Sequence, residues 1–195
     1  MSDPEQAQAG QGGAGRAGAP LIHPYRGTWP RIDPAAFVAP GAVVAGDVEI
    51  GPGCSIWYNC TLRGDVNVIR IGRDSNIQDG TVIHVARFGQ GTYIGDGVTV
   101  GHMALLHACT LRDGCFIGMQ ATVMDDCVVE AGAMVAAGAL VTPGKTVPRG
   151  TVWGGRPAKY MRDIRPDEAA YFADTARHYA AMGAEYAAAL QADGA

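Results

Sequence analysis

The sequence predicts a β fold: a triangular parallel solenoid of six-residue repeats, followed by one C-terminal α-helix. Three observations carry that prediction. Aliphatic residues recur every six positions between Val38 and Val147. Glycine takes 28 of 195 positions, while charged side chains make up only 17% of the chain and aromatic ones 7%. After Pro166 the apolar spacing changes to threes and fours. A period of six fits neither a helix nor a long alternating strand, and fixed-period repetition takes precedence over other fold assignments.

Residues 1–20 (MSDPEQAQAGQGGAGRAGAP) have almost nothing to bury and are expected to form a disordered tail. Residues 21–37 are expected to be an extended entry segment in which Tyr25 and Trp29 cover one end of the solenoid. The solenoid is assigned to 38–159. Its inward positions run Val38, Val44, Ile50, Ile56, Leu62; then Ile71, Ile77, Ile83; then Ile94, Val100, Leu106; then Leu111 through Val147. Each hexad gives a short strand and a corner, and three hexads close a coil, so the list corresponds to about six coils at the ~4.8 Å parallel-strand spacing. A narrow three-sided interior admits only small branched side chains, and Gly, Asn and Asp suit the tight corners. The glycine excess and the aromatic shortage thus have one cause. Residues 160–195 are assigned to the terminal helix. Pro166 suits a first turn, Asp167 and Glu168 suit the helix dipole there, and Phe172, Ala176, Tyr179, Met182, Tyr186 and Ala189 form the stripe facing the solenoid.

Composition also excludes classes. No stretch approaches the ~20 apolar residues of a membrane span. No basic segment leads into an apolar run at the N-terminus, so no secretory signal is expected. A net charge of −4 disfavours a nucleic-acid partner. Cys54, Cys60, Cys109, Cys115 and Cys127 are odd in number and contain no CxxC pair, which points to reduced thiols in a cytoplasmic protein. They are expected to be small packing residues, with Cys109, close to His107, open to oxidation.

The repeat is informative where it fails. The Leu62–Ile71 interval is nine residues, Ile83–Ile94 is eleven and Leu106–Leu111 is five. Extra residues must leave the coil, and loops on a rigid scaffold commonly carry function. Three of the five histidines lie here. His84 follows the inward Ile83, and His107 follows the inward Leu106. If 83–93 is one hexad plus a loop, the two imidazoles sit on one face, one coil apart, at about 4.8 Å backbone spacing. They can then share a metal at Zn–N distances of about 2.0–2.1 Å. His102 lies on the preceding face. A neighbouring copy in a threefold trimer can supply it, building three shared sites. Outward histidines that merely meet solvent or an interface are the plainer alternative for any one of them. His23 and His178 have no such company.

Two stretches, LRGDVNVIRIGRDSNIQDGTVIHV and IGDGVTVGHMALLHACTLRDGCFIGMQATVMDD, closely resemble the γ-class carbonic anhydrases, hexapeptide-repeat proteins with a left-handed parallel β-helix fold. The resemblance covers roughly residues 30–190. The handedness comes from it; the general crossover rule would give the opposite hand. It implies a homotrimer holding Zn2+ between subunits (Fe2+ or Co2+ as alternatives), with His84, His102 and His107 as ligands and CO2 and bicarbonate as substrates. It also implies that Arg63 and Asp65 form an interface pair, that Asp79 partners that arginine, that Gln78 contacts the metal-bound water and that Asn76 lies near the active site. Three neutral imidazoles with an open fourth position agree with a catalytic zinc site, where bound water ionises near pH ~7 and the hydroxide attacks CO2. The chain departs from the best-known γ-class pattern at Val66 and Arg87, where proton-transfer glutamates are expected. That departure keeps other functions open: a metal-dependent acyl-CoA thioester hydrolase, a hexapeptide acyltransferase using one histidine as base, and a non-catalytic trimeric scaffold. Tyr160, Tyr171 and Tyr179 are further residues that could reach a site.

Overall fold

The computed structural model describes residues 18–193. Most of the expected 1–20 tail, and residues 194–195 of the terminal segment, lie outside the described residues. The rest forms a parallel β-solenoid of about seven turns, with one helix, Pro166–Asp193, lying along it. Among the described residues no helix is long and apolar enough to cross a membrane.

The hexads become two-residue strands stacked in register. Val100 pairs with Ile77 and Ile117, and Leu106 pairs with Ile83 and Val123. One face carries the strands Phe37–Val38, Ser55–Ile56, Asn76–Ile77, Thr99–Val100, Phe116–Ile117, Met134–Val135 and Thr151–Gly154. The other two faces belong to one sheet folded round a corner, because Val43–Ile50 and Thr61–Ile71 each continue from one face onto the next. Thr61 and Leu62 pair with Val82 and Ile83 on the first face, whereas Ile69–Ile71 pairs with Thr92–Ile94 on the second. Gly46 makes the bend at φ 79°, where a Cβ would collide with the carbonyl of Gly64.

The seventh turn comes from the entry segment. Leu21–His23 pairs with Val43–Ala45, Arg31–Ile32 with Glu49–Ile50, and Phe37–Val38 with Ser55–Ile56. The list of inward positions starts at Val38 and so leaves out Ile22 and Ile32, which pair with the inward Val44 and Ile50. Tyr25 and Trp29 do not cover the end: Trp29 is 58% exposed, and Ile32 and Ala36 pack on the core instead.

The interior is a single column of Val, Ile, Leu, Ala and Cys. All five cysteines are buried and free. Burial pushes the Cys54 thiol up to about 11 and Cys60 to about 12, and raises Cys109 as well. Cys109 is fully buried, so the expected susceptibility to oxidation is not supported: the thiolate is the reactive form, and burial disfavours it.

The C-terminal segment begins with a strand. Lys159–Asp163 runs antiparallel to Thr151–Gly154 before the helix starts. Glu168 accepts hydrogen bonds from Arg162 (2.7 Å) and from the Arg165 backbone N–H (3.0 Å), closing the helix entrance as half of a capping box. The helix face turned to the solenoid runs through Phe172, Ala176, Tyr179, Gly183, Ala187 and Leu190. Ala189 is exposed, so the stripe passes through Ala187 instead. In an alanine-rich stretch apolarity alone does not choose a face. Phe37, Trp57, Tyr179 and Tyr186 fix the docking by edge contacts, with Trp57 5.5 Å from Tyr179 and 5.2 Å from Tyr186.

Candidate metal centre

The three irregular intervals build one corner. Between Leu62 and Ile71 the strand continues, but Gly64 pairs with Gly46 and Ile69 with Val48, so residues 65–68 stand opposite Asp47 alone and bulge outward. The Ile83–Ile94 excess becomes the loop at 85–91. Asn67 donates to the carbonyls of Ala86 and Gly89, both at 3.2 Å, and so ties the bulge to that loop. The short Leu106–Leu111 interval is closed by Ala108 at φ 46°, a left-handed conformation uncommon for alanine.

His84 and His107 project from this corner. Their residues are in direct register on adjacent strands, and their ring centroids lie 5.2 Å apart. The eleven-residue interval is therefore one hexad with a loop. Each ring has one nitrogen against a carboxylate: His84 Nε2 lies 3.0 Å from Asp65 Oδ1, and His107 Nδ1 lies 3.0 Å from Asp125 Oδ1. Arg63 pairs with the other Asp65 oxygen within the same chain. Burial works to raise the Asp65 carboxyl, but the hydrogen bonds with His84 and Arg63 outweigh it and hold the group below its ordinary range.

His102 stands elsewhere. It follows Thr99–Val100, at the corner that leads into Leu105–His107, with its Nδ1 2.9 Å from Asp79 Oδ2. Asp79 thus neighbours His102 in this chain, while Arg63 neighbours Asp65. Asn76 and Gln78 form a third group under the helix. Gln78 Nε2 donates to Asn76 Oδ1 at 3.1 Å, and Asn76 Nδ2 donates to Thr99 Oγ1 at 2.9 Å. Both amides are buried; Asn76 both donates and accepts, while Gln78 is held through its amide nitrogen alone. The proposed site residues therefore fall into three clusters: Arg63–Asp65–His84–His107, Asp79–His102 and Asn76–Gln78.

Among the described residues of one chain, no three His, Cys, Asp or Glu side chains are gathered closely enough to hold a metal. The donor chemistry nevertheless fits a zinc-type ion. Two imidazoles stand one rung apart, each steadied by a carboxylate on one nitrogen, which is the usual outer-sphere partner of a metal-bound histidine. A third imidazole, His102, carries the same kind of carboxylate partner at a different corner. Asp125 was not singled out from the sequence, although it lies 18 residues after His107, one coil further along.

No carboxylate replaces the expected glutamates on the two loops. Val66 is 41% exposed, and the Arg87 guanidinium lies 5.0 Å from the exposed Phe88 ring. Of the tyrosines, Tyr160 hydrogen-bonds Asp163 (3.0 Å), Tyr171 lies by Phe116, and Tyr179 packs on Trp57.

The sequence matches the model of the bacterial transferase hexapeptide family (six repeats) over residues 30–64 and 108–143. "Gamma carbonic anhydrase 2, mitochondrial" of Arabidopsis thaliana is 50% identical over 155 residues, 77% of this chain and 56% of the relative. "Carbonic anhydrase" of Geobacillus kaustophilus is 40% identical over 171 residues, covering 88% of this chain and 93% of the relative. Among solved structures, a hexapeptide transferase family protein from Anaplasma phagocytophilum superposes with a TM-score of 0.82 at 46% identity, covering 85% of this chain and 98% of that one. The chain spans 56–63% of the length of three plant relatives.

Proposed function

The chain belongs to the γ-class carbonic anhydrase family of hexapeptide-repeat proteins, and from that premise we propose that it is a carbonic anhydrase interconverting CO2 and bicarbonate at metal sites shared within a homotrimer. The observation that carries the reading is the His84–His107 pair, in register one rung apart with a carboxylate behind each ring. His84 and His107 of one protomer and His102 of a neighbour would hold Zn2+, with Fe2+ or Co2+ as alternatives. When bound, the ion supplies Lewis-acid activation of water near neutral pH.

The chain's own residues set up that site. Asp65 fixes the His84 ring, and Arg63 keeps Asp65 ionised. Asp79 does the same for His102 from its own corner. Gln78 has its amide nitrogen committed to Asn76, which leaves its carbonyl oxygen as an acceptor for a reacting water across the interface. Because Val66 and Arg87 provide no acid–base group, proton removal falls to buffer or to another side chain, and turnover is limited by that transfer. An acyltransferase needs a single histidine base, which leaves the second imidazole and both carboxylates without a purpose; that reading is favoured by the names of similar structures, the Anaplasma hexapeptide transferase family protein and a putative acetyltransferase from Bacillus cereus.

The test is stopped-flow CO2 hydration by metal-loaded wild type beside His107→Ala. Wild type above the uncatalysed rate and the variant at it are expected. Equal rates at background refute the reading, and thioester hydrolysis then becomes the reaction to assay.

A further inference from the structure

The geometry points to Asp125 as the positioning residue of His107, the side chain that selects which ring nitrogen the imidazole presents. The inference rests on the metal-site reading above, but its first test does not.

Asp125 lies one coil after His107, two residues beyond the inward Val123, which pairs with Leu106. Its backbone is pinned from both sides: its carbonyl accepts the Gly144 N–H at 2.9 Å, and the next residue's N–H donates to the Ala108 carbonyl at 2.8 Å. Ala108 is the left-handed corner directly after His107, so ring and carboxylate share one tight junction. Asp125 Oδ1 lies 3.0 Å from His107 Nδ1. Among the described residues no Lys or Arg comes within ion-pair distance of that carboxylate, in contrast to Asp65, which divides itself between His84 and Arg63.

A carboxylate accepts a hydrogen bond and cannot donate one. It therefore holds the proton of a neutral imidazole on Nδ1 and leaves the Nε2 lone pair free. It also fixes the ring's rotation, because the acceptor stands on a rung that cannot move. An outer carboxylate of this kind typically changes metal affinity by about 10–100-fold.

The first measurement is made on metal-free protein. Long-range 1H–15N NMR of the neutral histidines should find His107 as the Nδ1–H tautomer in wild type and in Asp125→Asn, whose amide oxygen still accepts. In Asp125→Ala it should shift toward the mixture of a free imidazole. Wild-type His107 protonated on Nε2 overturns the inference, whether or not metal binds. The second measurement is Zn2+ affinity by competition with a chromophoric chelator. Asp125→Ala should bind about 10–100-fold more weakly than wild type, with Asp125→Asn between them. Equal affinity in wild type and Asp125→Ala also overturns it. A wild type that binds no Zn2+ refutes the metal reading instead, and the NMR result still decides the role of Asp125.

Discussion

Replacing Ile83 by Ala should destabilise the protein by about 3–4 kcal/mol and loosen the metal corner with it. Ile83 is fully buried, paired in register with Leu62 on one rung and Leu106 on the next, both also fully buried. The change removes three carbons, worth about 2.4 kcal/mol at ~0.8 kcal/mol per methylene. The remainder is the cavity term, which grows where surroundings cannot relax. Here they cannot: the rungs are clamped by Thr61 N–H to Thr81 O and Val82 N–H to Ala104 O, both 2.9 Å. Ile83→Val should cost only about 1 kcal/mol. Urea unfolding at one fixed protomer concentration measures both, since any assembly makes apparent stability concentration-dependent. A loss below about 1 kcal/mol for the alanine variant would mean that the column can collapse, and the rigid-rung argument would fail.

Two further outcomes follow from the helix. At Gly183 an added Cβ would sit 3.0 Å from Ser55 Cβ and 3.2 Å from Phe37 Cβ; Gly183→Ala gains up to about 1 kcal/mol of helix propensity, but overpacking against two fixed Cβ atoms costs about 1–3 kcal/mol. Protease nicking within 166–193 should therefore speed up, and a raised melting temperature would count against this packing. Glu168, held down to about 2 first by Arg162 and then by the Arg165 backbone N–H, contributes stability that is complete above the ordinary carboxyl range near 4.5. That contribution is lost as pH falls toward 2, because the depressed folded value makes protonation favour the unfolded chain. Circular dichroism should register this acid loss in wild type and a flatter profile in Glu168→Gln; superimposable profiles would refute it.

The solenoid was readable because one inward residue every six is a signal with a single geometric solution. Its irregularities were equally informative: the His84–His107 register followed from counting 83–93 as one hexad with a loop. What escaped was whatever the period does not encode. In the first turn Ile32 lies six residues before Val38, but the ten-residue step back to Ile22 breaks the period, and Leu21–His23 is placed by its pairing to the next turn. The strand Lys159–Asp163 owes its place to its partner Thr151–Gly154, so the segment assigned to the helix from 160 starts as β structure. Asn76 and Gln78 bond to each other across one face, a side-chain contact that the inward period does not encode. Asp125 was within reach of the same coil arithmetic that paired His84 with His107, but an aspartate at a corner looks like any turn residue until the neighbouring rung is known.

Stacked rungs also fix how disturbance spreads. Each rung is coupled to the one before and the one after, so the solenoid behaves as a one-dimensional array of nearest neighbours. Its outermost strands, Leu21–His23 and Arg31–Ile32 at one end, pair on one side only. Opening therefore starts at the ends and runs inward. His84 and His107 stand on interior rungs, bracketed by Leu62 on one side and Val123 on the other. Fraying has to travel through several rungs before it reaches them, and the imidazole pair sits where the array is last to open.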